Sequence, residues 1–354
     1  MAVTMADIAK VAGVSKNAVS LALRHDNRIS VATRERIVQI ADDLGYRKNP
    51  VMSHLMVELR RSRGVDFKRT FALVNGHPEN RNLHEHPTLA AWVEGCRRRA
   101  AQQGYGMDEF WLHDPEMRPE RLDAILGARG IQGVILVGTF RGRRMLEAWS
   151  PIWSSRACVA TGVRTESPRF SYSCVDHHAL VIEAVNRVTA LGYRRPGLVV
   201  DQSVDLLVDG RFSAGFAYAQ RRLPVEDRVP WLAHQSECEN DPGIFDRWLK
   251  THAPDVILTL HIDVRDWLEE RGLRVPDDLG LVLLEGRRDA MRWAAMNQHN
   301  DEAGEAAVDM MIRGLQNGEF GVPEHPRATL ITATWAPGDT VRDMKTLQPA
   351  TRAR

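Results

Sequence analysis

The stretch Ser15-Lys16-Asn17-Ala18 places side chains that recognise nucleobases and phosphates next to one another. A lysine ammonium matches the O6 and N7 acceptors of guanine, and an asparagine amide can pair with adenine N6 and N7 through two hydrogen bonds. Serine hydroxyls and the free amides of a helix start suit phosphate oxygens. These groups can act together only on the outward first turn of a helix, so the elements around them decide the matter. The competing reading is a small helical cap that merely packs on the next domain; three polar, outward residues at that turn argue against it.

Those elements are legible. Thr4 is a good N-cap with Asp7 three residues on, Ile8, Val11 and Ala12 form a narrow apolar stripe, and Gly13 ends the helix. Ser15 caps a second helix whose Val19, Ala22 and Leu23 face inward. A third helix starts at Ser30, carries Ile37, Ile40, Ala41 and Leu44 at helical spacing, and stops at Gly45. Three short helices with a tight turn between the first two make a helix-turn-helix unit, and its second helix is the one offered to the major groove. Ser15 and Thr4, both at helix starts, are the phosphate candidates. After Asn49-Pro50, "VMSHLMVELRRSRG" puts Met52, Leu55, Met56 and Leu59 on one stripe and ends in Arg60, Arg61 and Arg63. A helix this short is marginal alone.

Composition bounds the rest. With 354 residues, 44% hydrophobic and 26% charged, the chain reads as a globular protein of two or three domains. No run approaches the ~18 apolar residues of a membrane span, and "MAVTMADIAKVAG" does not look like a signal peptide. The 4 cysteines are far apart, as in a reducing cytoplasm. Net charge is +1, yet residues 1–69 hold 13 Lys/Arg against 7 Asp/Glu, a basic head on a mildly acidic body. No nucleophile elbow, phosphate loop or dinucleotide fingerprint is present, so no enzyme is expected. His77, His84 and His86 in "HPENRNLHEHP" match no standard zinc spacing and are read as an ordinary loop; no metal or cofactor is assigned.

From residue 69, continuous apolar runs ("TFALVN", "IQGVILVG", "ACVATG", "RPGLVVD", "PDVILTLH", "LGLVLLE") alternate with helical patterns. That is the signature of α/β structure with buried parallel sheets, and two such series imply two lobes. Ligands of such sheets bind beyond the carboxyl ends of strands, which makes the cleft between lobes the expected site. Strand ends nominate Asn75, His77, Thr139, Phe140, Asp176, Asp201, His261, Asp263 and Glu285 to Arg287. Asp176 also reads as a helix cap. Trp293 and Phe140 are aromatic enough to stack on a sugar, although large aromatics mostly serve cores.

The head, "TMADIAKVAGVSKNAVSLALRHDNRISVATRERIVQIADDLGYRKNP", resembles the DNA-binding head of the LacI/GalR family of bacterial transcription regulators. The resemblance rests on A-x-x-A-G-V-S, the V-S pair in the second helix, S-x-x-T-R-E-R and L-G-Y-x-x-N-P. In the body it rests on "VDHHALVIEAVNRVTALGYRRPGLV", "RFSAGFAYA" and "ERGLRVPDDLGLV". It implies a helix-turn-helix domain at 1–48, a hinge helix at 49–64 and a two-lobed body resembling periplasmic binding proteins at 65–338; the tail at 339–354, with little hydrophobic periodicity and no leucine heptads, is expected to be disordered. Lys16, Asn17 and Ala18 would then read bases, with Ser20 and Leu21 continuing the groove-facing surface. Leu55 would wedge into the minor groove, with Met52 one turn before it. Arg211 matches an arginine that grips ligand hydroxyls. The chain departs from the family at Leu21 and Arg24, where many members have Arg and Asn, and in the pocket phrases "LHID" and "LEGRR". The resemblance implies a cytoplasmic, nucleoid-associated homodimeric repressor that binds near-palindromic operator DNA and responds to a carbohydrate effector. Alternatives are a purine-type corepressor mode, an effector-independent regulator and, more distantly, a sugar receptor without a DNA role.

Overall fold

The computed structural model describes residues 3, 5–23, 29–46, 69–138, 143–145, 147–286 and 292–347. Thr4, Met52, Leu55, Thr139, Phe140, Arg287 and the whole hinge segment 49–64 lie outside the described residues, as does the side chain of Asn17.

The head folds as α1 (Met5–Ala12), α2 (Lys16–Ala22) and α3 (Val31–Asp43). Its core joins Ile8, Ala9 and Ala12 to Val19, Ala22, Ile37 and Ala41. Ala9 takes the place expected of Val11, which is 59% exposed. The reason is angular: positions 8, 12 and 9 span about 100° of the helix, whereas 11 falls outside that arc. Gly13 adopts φ 65°, and Val14 N–H donates to Ala9 C=O at 3.1 Å, closing α1 five residues back. The end of α3 repeats the device, with Gly45 at φ 69° and Tyr46 N–H on Ala41 C=O.

The rest of the chain builds two sheets. The first has six strands in the order β10-β5-β4-β3-β1-β2. Its members are β1 (Arg69–Asn75), β2 (Tyr105–Trp111), β3 (Gly133–Val137), β4 (Ala157–Thr161), β5 (Ser171–Val175) and β10 (Ala328–Ile331). β1 pairs in parallel with β2 and with β3, and β3 with β4. The second sheet runs β11-β9-β8-β7-β6. Here β6 (Pro196–Val199), β7 (Val256–Thr259), β8 (Gly280–Leu283) and β9 (Ala294–Asn297) are parallel, and β11 (Thr334–Ala336) closes the edge antiparallel to β9.

The larger helices follow in chain order as α4 (Pro87–Gln102), α5 (Pro119–Ala128), α6 (His177–Ala190), α7 (Arg211–Gln220), α8 (Pro242–His252), α9 (Asp263–Glu270) and α10 (Asn300–Asn317). Among the described residues no helix is long and apolar enough to cross a membrane. The contacts fall into two units. Unit 1 comprises 1–161, 165–172 and 304–327; unit 2 comprises 162–164, 173–303 and 328–354. In unit 2 the strand runs are apolar throughout because both faces are covered. Leu198, Val256 and Val282 pack on α6 and α7, while Val199, Ile257 and Leu281 pack on α8 and α9.

Three features depart from the sequence reading. β5 has alternating polar residues, yet Ser173 is fully buried because its hydroxyl donates to the Ala303 carbonyl at 2.7 Å. The segment "HPENRNLHEHP" is not all loop, for Asn82–Glu85 forms one helical turn. The tail expected to be disordered is instead docked over 339–347. Thr340 is buried, its Oγ1 donates to Leu281 C=O at 2.6 Å and accepts from Ala294 N–H at 2.9 Å, and a short helix follows at Met344–Leu347. Hydrogen bonds to the backbone and two apolar side chains, Val341 and Met344, hold this segment on the core, too few to give an apolar periodicity.

Within unit 1, α4 and α10 touch backbone to backbone. A Cβ at Gly304 would stand 2.1 Å from the Trp92 carbonyl oxygen and 2.9 Å from Cys96 N. Arg98 and Arg99 of α4 reinforce the crossing through Glu305 at 2.6 Å and Asp309 at 2.7 Å. Gly304→Ala should therefore destabilise unit 1 by about 1–3 kcal/mol or more through overpacking, read as a lowered urea midpoint with tryptophan fluorescence. An unchanged midpoint would show that the helices can separate without cost.

Candidate nucleic-acid interface and effector site

The second helix of the head is built to present its start. Ser15 lies in extended backbone and its Oγ accepts from Ala18 N–H at 3.1 Å, fixing the first turn. Among the described residues the hydroxyl hydrogen of Ser15 is left for a phosphate oxygen, as are the amides of α2 ahead of Ala18. Val19 and Ala22 are completely buried, which pins the rotation of the helix and leaves Ser15 and Lys16 exposed. Ala18, Ser20 and Leu21 are half-buried at the flank of that surface. Ser30 caps α3 in the same way, accepting from Thr33 N–H at 3.3 Å.

In the body, the nominated residues fall into different units. Asn75 and His77 belong to unit 1 and are committed to one turn. Asn75 is 1% exposed, its Oδ1 accepts from His77 N–H at 2.9 Å and its Nδ2 donates to Asn80 at 3.2 Å. The His77 ring accepts from Glu79 N–H at 2.9 Å, and its carbonyl accepts from Trp111 Nε1–H at 2.8 Å. The rest of the described set belongs to unit 2. There His261 and Asp263 follow β7, with Asp263 exposed at the first position of α9. Glu285 follows β8 and accepts from Asn300 Nδ2 at 2.7 Å. Asp201 is tied down by Ser203 and Ser236. Burial would raise its pKa, but the hydrogen bonds from both serine hydroxyls and amides outweigh burial and hold the carboxyl below the usual range. Trp293 is half-buried, and its indole lies 5.7 Å under the Arg265 guanidinium.

Asp176 and Arg211 are brought into one cluster. Asp176 caps α6, its Oδ1 accepting from Ala179 N–H at 3.1 Å. Arg211 opens α7, and its Nη1 lies 3.5 Å from Cys174 Sγ at the end of β5. Burial pushes the Cys174 thiol up to about 11, Arg211 opposes this shift, and the Asp176 and Asp209 charges add to it.

Two residues that sequence reasoning passed over complete the cluster. Asp205 is buried, and its Oδ1 accepts from Phe212 N–H at 2.9 Å and Ser213 N–H at 3.1 Å. It thus caps α7 from six residues upstream of Arg211, because Gly210 at the N-cap position has no side chain to do so. His177, at the first position of α6, is 8% exposed and packs at 4.8 Å from the Phe212 ring. Burial, aided by Arg211, lowers its pKa to about 3. Neither has a local signal: the Asp205 partners are seven and eight residues away, and His177 reads as a routine helix start. A groove of about 470 Å³ between α6 and residues 332–335 is lined by Glu183, Arg187 and Trp335 but by none of the nominated residues.

Comparison with known proteins adds five findings. Residues 4–49 match the model of the bacterial regulatory proteins of the lacI family, and residues 185–341 match a periplasmic binding protein-like domain. The HTH-type transcriptional regulator GalR of Streptococcus thermophilus is 24% identical over 331 residues, covering 88% of this chain and 92% of that protein. The transcriptional regulator CelR in its cellobiose complex superposes with a TM-score of 0.57 at 19% identity, covering 96% and 99% of the two chains. The lac repressor dimer bound to operator and the anti-inducer ONPF gives 0.56 at 18% identity, covering 97% and 100%.

A buried neutral histidine makes stability depend on pH with a definite sign. Between its folded value of about 3 and the unfolded ~6.5, only the unfolded chain takes up the proton, so stability falls as pH drops through that window. At pH 5 the loss from His177 should be about 2 kcal/mol relative to pH 7.5. Urea unfolding at both pH values checks this, and His177→Gln should shrink the difference by that amount.

Proposed function

The chain belongs to the LacI/GalR family of bacterial transcription regulators, and from that premise we propose that it is a cytoplasmic repressor whose operator affinity is lowered by a sugar. It is a DNA-binding regulator and not an enzyme. The observation that carries the DNA side of the proposal is α2: its inner face is locked by Val19 and Ala22, its start is capped by Ser15, and Lys16 is exposed beside that cap. Lys16, Asn17 and Ala18 read base edges in the major groove, with Ser20 and Leu21 at the flank, while Ser15 and Thr4 meet phosphates. Leu55 and Met52 belong to the minor-groove contact. A homodimer on a near-palindromic operator follows from one recognition helix per chain, as half-sites mirror a two-fold axis.

For the effector, the support is the polar corner formed by Asp176 and Arg211 in unit 2, where a guanidinium and a carboxylate offer donors and acceptors to hydroxyl groups. The cellobiose complex of CelR, a protein of the same fold, is in keeping with a carbohydrate. His261, Asp263 and Glu285 are the further contacts proposed in unit 2, and Asn75, His77 and Phe140 those proposed from the remainder of the body.

Two measurements test the proposal. Lys16→Ala and Asn17→Ala should each cost about 1–3 kcal/mol at the preferred base pair and relax preference there, measured by fluorescence anisotropy on an operator selected from random duplexes. An unchanged preference removes those residues from the reading surface. On the same complex, a neutral sugar should release DNA in a titration series of sugars, sugar phosphates and purines. If only a purine acts, and it tightens binding, induction gives way to corepression.

A further inference from the structure

We propose that His177 is a hydroxyl-reading contact for a neutral ligand at the Cys174–Arg211 corner of unit 2, and that it disfavours anionic ligands there. This rests on the reading of Arg211 and Asp176 as effector contacts. His177 is more than nine-tenths buried, and its Nδ1 has no hydrogen-bond partner among the described residues. Folded proteins rarely leave a buried nitrogen unmatched unless a ligand or an ordered molecule completes it. The ring that carries this nitrogen is next to the proposed Arg211–Asp176 contacts. The His177 ring lies against Phe212, the residue after Arg211; Arg211 reaches Cys174 Sγ at 3.5 Å; and Asp176 immediately precedes the ring at the start of α6.

The chemistry of the ring chooses among ligands. Neutral imidazole carries one N–H and one lone pair, whereas a guanidinium only donates. A hydroxyl both donates and accepts, so it can satisfy Nδ1 in either tautomer and still take a hydrogen from Arg211. Phosphate and carboxylate oxygens only accept, so they could pair with Nδ1 only where it carries a hydrogen. An anion would gain most by protonating the ring, and burial and Arg211 oppose that charge. Arg211 attracts an anion and the Asp176 and Asp209 charges offset that attraction, which leaves the hydrogen-bonding match to the ring to choose. The corner thus favours a polyhydroxy compound over its phosphate ester.

Calorimetric titration of the full chain tests the proposal, using glucose, cellobiose, ribose and glucose 6-phosphate as probes. At least one neutral sugar should bind the native protein more tightly than glucose 6-phosphate does. His177→Phe should weaken that sugar about five- to tenfold, the worth of one neutral hydrogen bond, and His177→Gln should recover most of the loss. Imidazole nitrogen NMR supplies a second readout, in which the His177 signals are those of a neutral ring at pH 7 and shift on saturation. Equal binding by native protein and His177→Phe, tighter binding of the phosphate, a charged ring, or signals unmoved by sugar (an enclosed water molecule only) would each overturn the role of His177 while leaving a sugar effector intact. If no probe binds the native protein, the sugar reading itself fails and the His177 role falls with it.

Discussion

An α-helix leaves its first amides unpaired, and the candidate positions at the helix starts of this chain depend on how those donors are met. Ser15 meets them for α2, Ser30 for α3, Asp176 for α6 and Asp205 for α7. In the first three cases the cap is the adjacent residue in sequence, so the helix start is fixed locally. In the fourth it comes from a buried carboxylate on a separate turn, and the direction of Arg211 depends on that distant group. Capping therefore does more here than stabilise helices. It determines which donors remain for DNA or ligand, and which side chains sit beside them.

The difference between local and distant capping explains how much could be read in advance. Ser15, Ser30, Gly13 and Gly45 are local signals, and the head was legible from them down to its turns. Val11 was misplaced because a helix of 8 residues has an apolar arc too narrow for three-residue periodicity to resolve. The strands of the second sheet were legible because both faces are covered, making Leu198–Val199 and Val256–Ile257 apolar without alternation. β5 was not, since Ser173 is matched by the carbonyl of Ala303 and Ser171 by the amide of Arg327, both remote in sequence. α10 was overlooked for a different reason: small residues, Ala303, Gly304 and Ala307, make its tightest contacts.

The candidate site in the body was harder to read because strand-end residues compete for two duties. Asn75, His77 and Asp201 stand where ligands bind in such sheets, yet hydrogen bonds to nearby amides and hydroxyls already occupy their polar atoms. Position alone does not separate a ligand contact from a turn-holding group. What separates them is unspent hydrogen-bonding capacity, and that quantity exists only in three dimensions. His177 shows the converse, for nothing in its sequence context distinguishes a solvated imidazole from one buried beside a guanidinium.

Thr340 joins residues made late to strands made much earlier, for it bonds both Leu281 and Ala294. The head closes its own core within the first 46 residues. Chains are synthesised from the N-terminus and fold as their parts emerge. A growing chain therefore owns a finished DNA reader long before the second sheet can be stitched shut. Synthesis order thus makes the body the last part to mature, and an interrupted chain would carry an address without the domain that follows it.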